Sequence, residues 1–140
     1  MLGTLKSGYS FMEIVIVIAI ISILAGVGIP SYLSYIESSK VTKTVAHINL
    51  VKNEINRYYG DIGRFPESLD DLLDAPDDDS PLAKKWNGPY LEIKGGGLPM
   101  DGWDRDLVYE KTPGSAHPYE LYSFGKEGED GPEEKRITAW

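Results

Sequence analysis

Cysteine is absent from the 140 residues, which excludes a disulfide framework and any thiolate metal site and leaves the redox compartment open. Histidine is nearly absent. His47 and His117 are the two, too few for a zinc set and without a thiol to activate. No Gly-x-Ser-x-Gly elbow occurs, so a serine triad of that kind has no seat. Neither a Walker A loop nor a Gly-x-Gly-x-x-Gly after a strand is present, and Gly95-Gly96-Gly97 is too short to cradle phosphates. These absences argue against an enzyme. A basic excess is missing as well: 14 Lys and Arg face 22 Asp and Glu, for a net charge of −8. The acids concentrate in residues 67–79 and 127–134, a surface that does not favour nucleic-acid phosphate. No nucleic-acid partner is expected. Internal repeats are also lacking.

Charge itself is missing from Ile14 to Ile29, where Ile, Val, Ala, Leu, Gly and one Ser follow one another. As a helix rising about 1.5 Å per residue, Phe11 to Ile29 spans just under the roughly 30 Å of a bilayer core. Glu13 stands at its start. An intramembrane carboxylate costs a few kcal/mol and is usually paired and functional, so Glu13 needs a partner. Lys6 before the run is consistent with a cytoplasmic N-terminus and an outward-facing C-terminus. Two simpler readings compete: an ordinary signal anchor with a stray Glu13, or a secretory signal cut near Ala25-Gly26-Val27-Gly28.

Pro30 follows the apolar run and predicts a kink near residues 27–30 rather than a stop, because the helical pattern resumes. Val41, Val45, Ile48, Val51, Ile55 and Tyr58 or Tyr59 recur at helical spacing and mark one apolar face. Gly60 is the expected terminating glycine. One long helix is therefore predicted, from Tyr9 to about Tyr59, with a membrane half at 9–29 and an amphipathic half at 30–60. Residues 61–140 then read as a small α+β head. Glycine and proline make 61–66 a loop, Ser68 caps a short helix over 67–73, and an acidic loop follows at 74–80. A turn of helix is expected at 81–86 and a flexible stretch at 94–97. Three antiparallel strands are expected at 90–93, 107–111 and 119–124. In a head this small, Trp86, Tyr90, Trp103 and Tyr122 read as core rather than as a ligand cage.

Gly8-Tyr9-Ser10-Phe11-Met12-Glu13 resembles the prepilin-peptidase site of type IV pilins and type II secretion pseudopilins. The family usually has Phe, Thr and Leu where this chain has Tyr9, Ser10 and Phe11. The resemblance implies that residues 1–8 are a leader cut after Gly8, and that Tyr9 becomes the N-methylated first residue. Glu13 is then the fifth residue of the mature chain. Cleavage creates an ammonium at Tyr9, and Glu13 would pair with the Tyr9 amine of a neighbouring subunit in a filament. Further along, Gly63-Arg64-Phe65-Pro66, Trp86-Asn87-Gly88-Pro89-Tyr90-Leu91, Asp101-Gly102-Trp103-Asp104 and Tyr122-Ser123-Phe124-Gly125 follow in order. Together these are similar to the major pseudopilins of type II secretion systems, which usually have Asp-Pro-Trp-Gly at the third motif.

That family binds calcium in the loop after its third strand, and clustered carboxylates on a glycine-rich loop suit the ion in kind. Carried over, the expected ligands are the Phe124 carbonyl, Glu127, Glu129, Asp130 and Glu134, with a solvated acidic loop as the equal alternative. The other acidic cluster, Asp70-Asp71, Asp74 and Asp77-Asp78-Asp79, lacks the spacing of an EF-hand loop. The resemblance further implies a structural subunit of a periplasmic filament that drives protein export. Its partners would be copies of itself, minor pseudopilins, the prepilin peptidase, an inner-membrane platform with its ATPase, and an outer-membrane secretin. Two rivals stay open: a type IV pilin or minor pilin of a surface fibre, and a membrane-tethered periplasmic domain that never polymerises.

Overall fold

The structure is a computed structural model that describes residues 8–77, 79–92 and 96–140. The leader stretch 1–7 with Lys6, Asp78, and residues 93–95 of the expected strand and flexible stretch lie outside the described residues. One long helix, α1 (Phe11–Ile62), is followed by a 3-10 turn at Leu69–Leu72 and three strands. These are β1 (Val108–Lys111), β2 (Tyr119–Ser123) and β3 (Ile137–Thr138). The architecture is α+β and pilin-like, with the sheet antiparallel and ordered β1-β2-β3. By compactness the chain divides at Glu37 and Ser38. The second half of α1 belongs to the same unit as the sheet.

α1 runs through Pro30. It ends two residues beyond the expected Gly60, which lies inside the helix. Gly63 is the terminating residue: its φ is +87°, and its N–H donates to the Tyr59 carbonyl at 2.8 Å. A residue without a Cβ takes that left-handed conformation at little cost, which is why the helix stops there.

The buried stripe of α1 is Thr44, Ile48, Val51, Ile55, Tyr58 and Ile62, in alternating steps of four and three. Val41 and Val45, expected on this face, are 39% and 42% exposed. Thr44 takes the place because the 101–105 turn docks there. Its hydroxyl donates to the Lys40 carbonyl at 2.8 Å and accepts the Gly102 N–H at 2.8 Å. A valine at 44 would leave that buried N–H unpaired. Gly102 lies so close to the helix that a Cβ there would stand 2.6 Å from Cα of Lys40. Gly102→Ala is therefore expected to destabilise the head by about 2–3 kcal/mol, on the order of 10 °C in Tm. An unchanged melt would mean that helix and turn are not in such close contact.

Against the stripe pack Leu69, Leu72, Tyr90, Leu91, Leu107, Tyr119 and Leu121. Tyr90 illustrates how an aromatic both fills and fastens. It meets Tyr58 edge-on at 5.4 Å and Trp86 at 5.8 Å, while its hydroxyl donates to Asp61 Oδ2 at 3.0 Å and accepts the Asn87 N–H. The expectation that Trp86, Tyr90, Trp103 and Tyr122 are core holds for Tyr90 and Tyr122, which are buried, and in part for the half-buried tryptophans. Residues 90–92, expected in a strand, form none. The N–H groups of Tyr90 and Leu91 both donate to the Leu72 carbonyl, so this backbone is spent on the end of the 3-10 turn. In that turn the Asp71 carboxylate accepts the Glu67 N–H at 2.7 Å. The third strand instead lies at Ile137–Thr138, paired with Tyr122 and Ser123.

Candidate functional site

Two regions carry the expected sites. The first is the N-terminal half of α1. Gly8 and Tyr9 are exposed and lie just before the helix, and Glu13 lies in its first turn. A carboxylate there faces the positive end of the helix dipole. Every residue from 8 to 35 is exposed, including Ile18 at 58%, Ile23 at 69% and Val27 at 71%. An apolar surface of this length greatly exceeds what a soluble monomer shows to water. The helix satisfies its own backbone, apart from the N–H that Pro30 lacks, so it suits hydrocarbon or the interior of an assembly equally. Among the described residues α1 is the one helix long and apolar enough to cross a membrane.

The second region is the loop 124–136 between β2 and β3. Its anchor is Asp101, which is 1% exposed. Oδ1 accepts the N–H groups of Trp103 at 2.8 Å and Arg105 at 2.9 Å, and Oδ2 accepts the Ser123 hydroxyl proton at 2.7 Å. Ser123 Oγ in turn accepts the Gly125 N–H at 3.0 Å. One buried carboxylate thus ties the 101–105 turn to the end of β2 and the start of the loop. Asp104 closes the turn at φ +58°. Aspartate is among the residues that tolerate this region. Its exposed pair with Lys43 at 3.3 Å adds little.

The five expected calcium ligands are not gathered by this loop. Phe124 is half-buried, and the side chains of Glu127, Glu129, Asp130 and Glu134 are exposed. Glu127 pairs with Lys135 at 3.4 Å. Glu129 borders a cavity lined also by Asp104, Arg105 and Phe124. Among the described residues, no three Asp, Glu, His or Cys side chains converge as a metal set. Arg105 is not among the residues singled out from the sequence, and Asp101 is named there only within a family-like motif. The available signal was local: Lys126, Lys135 and Arg136 interleave with the acids, which an acidic metal loop does not need.

The remaining titratable residues serve the fold. His47 Nδ1 lies 2.6 Å from the Met100 carbonyl, and His117 stacks on Trp140 at 4.3 Å. Lys52 sits over the Trp140 ring at 3.8 Å and donates to the Ala139 carbonyl, which fastens the last residues to α1. Burial pushes the Tyr109 hydroxyl well above the usual tyrosine range and raises that of Tyr119, with Tyr109 donating to the Pro66 carbonyl at 2.8 Å.

Comparison with known proteins agrees with this fold. The type II secretion system core protein G of Escherichia coli is 34% identical over 139 residues, covering 96% of this chain and 91% of that protein. The corresponding protein of Pseudomonas aeruginosa is 32% identical over 130 residues, covering 90% and 87%. A type IV major pilin, PilE1 of Neisseria gonorrhoeae, is 34% identical over 67 residues, covering 48% of this chain and 41% of that protein. The family model described as type II secretion system protein G matches residues 31–140. A long apolar-then-amphipathic helix, a small α+β head and these likenesses place the chain in one family: it belongs to the type II secretion system protein G family.

Proposed function

We propose that this chain is the repeating structural subunit of a periplasmic pseudopilus, the filament that drives folded proteins across the outer membrane. The carrying observation is that α1 buries one face of its second half against the head, while residues 8–35 are exposed and largely apolar. Such a surface needs an apolar partner. The bilayer supplies one before assembly, with the N-terminus cytoplasmic and the head periplasmic, and neighbouring copies supply one in the filament. Prepilin peptidase would cut after Gly8 and leave Tyr9 as the N-methylated first residue. Glu13 then pairs with the Tyr9 ammonium of a neighbour and sets axial register. Pro30 gives α1 a place to bend as the helices pack, since it lacks one helix hydrogen bond. Minor pseudopilins, an inner-membrane platform with its ATPase, and the outer-membrane secretin complete the machine.

Intact mass and N-terminal sequencing of the protein from its host's membranes test this reading. A chain beginning at N-methylated Tyr9 is expected. One beginning at Met1 would return the protein to the tethered domains that never polymerise. The likeness to a type IV pilin covers about half the chain, against nine-tenths or more for the protein G relatives above. This favours the secretion filament over a surface fibre.

A further inference from the structure

A half-buried guanidinium lies against the start of the 124–136 loop. Arg105 leaves the Asp101 turn with Nε 3.5 Å from Asp101 Oδ2, an ion-pair distance without hydrogen-bond geometry. Its Nη2 donates to the Gly125 carbonyl. A Cβ on Gly128 would stand 2.9 Å from Nη1, so the loop closes directly on the guanidinium. Gly125 and Gly128 hold φ values of +65° and +77°, which lets the backbone bend around it. A second cation, Lys135, holds Glu127, and a third, Arg136, pairs with Glu133 at 2.8 Å and lies over the Tyr122 ring at 4.9 Å.

Calcium requires six to eight oxygens at about 2.3–2.6 Å. The residues here do not fit it: the acids are exposed or paired, no three converge, and three cations stand among them. We propose that Arg105, with Lys135, is a built-in cation that replaces a divalent ion and makes folding of this head independent of calcium. The chemistry is a substitution in kind. A guanidinium is charged at every physiological pH and offers five donors in a fixed plane, so it engages carboxylate and carbonyl oxygens as a metal would. Like-charge repulsion from Arg105 and Lys135 then disfavours a divalent cation in the same loop. The inference concerns the stability of one chain and stands apart from the filament reading, because its test reads single subunits.

The test uses the full chain in detergent micelles, followed by near-ultraviolet circular dichroism on heating. Equal melting temperatures in excess chelator and in millimolar calcium are expected, with no heat of calcium binding by calorimetry. Arg105→Ala is expected to lower Tm by about 5–10 °C in both media, and Arg105→Lys to recover part of the loss. A chelator-sensitive melt of the natural chain, or a rise in Tm with calcium, would overturn the proposal. So would an Arg105→Ala chain that melts like the natural one. If Arg105→Ala does not fold, the chelator comparison on the natural chain decides the matter by itself.

Discussion

Chains carrying Glu13→Ala or Glu13→Gln are expected to keep a folded head and to lose filament formation. On the proposed reading Glu13 lies in the same apolar layer as the Tyr9 ammonium of a neighbour. Removing the carboxylate leaves that ammonium without a counter-charge. Breaking a buried pair from one side costs about 3–5 kcal/mol, so subunit addition should weaken by more than about 100-fold. The head lies far along the sequence from the change, and its core between Ile48 and Leu121 contains no residue of the 8–35 segment. Glu13→Gln matters as a control because it keeps size and polarity and removes charge alone. Filament yield by electron microscopy and sedimentation, beside circular dichroism of the same preparations, measures both halves of the expectation. Filaments of normal number and length from either variant would remove charge pairing from the mechanism.

Asp101→Ala should cost the head about 3–5 kcal/mol, a large part of the stability of a small domain. The carboxylate, itself buried, accepts from Trp103, Arg105 and Ser123 and faces the half-buried Arg105 guanidinium. Alanine leaves three donors unpaired and the half-buried Arg105 guanidinium without its counter-charge. The 101–105 turn would then lose its link to β2, and with it the docking of Gly102 on Thr44. Asp101→Asn retains one acceptor oxygen for the two N–H groups and loses the ion pair, so about half the effect is expected. Thermal melts of the full chain in detergent measure the series. An Asp101→Ala head that melts within a degree or so of the natural one would show that this carboxylate does not hold the turn and loop together.

Much of this protein was legible from local pattern. The apolar run with Glu13 at its head, the resumption of helical spacing beyond Pro30, and the α+β reading of the remainder rest on composition and period. Those signals survive in any context, because a chain with no charge from Ile14 to Ile29 has few ways to satisfy its backbone and side chains at once. The motifs along the head pointed to the secretion family for the same reason: they are short strings readable without coordinates.

Contacts between residues distant in sequence decided the rest. Thr44 replaced Val45 in the buried stripe because a turn some sixty residues later needed an acceptor for the Gly102 N–H. Residues 90–92 looked like a strand, yet their N–H groups were claimed by Leu72. The third strand formed instead at Ile137–Thr138, too short for an alternating pattern to announce. The acidic loop reads in sequence as carboxylates on glycines, and only the fold sets Arg105, from a different part of the chain, against its Gly125 carbonyl. Alone, then, the sequence determined that there is a helix made for an apolar environment and a small head joined to it. Only the tertiary structure decided which hydrogen-bond partners complete that head, because buried polar groups are satisfied by whatever the fold brings within about 3 Å.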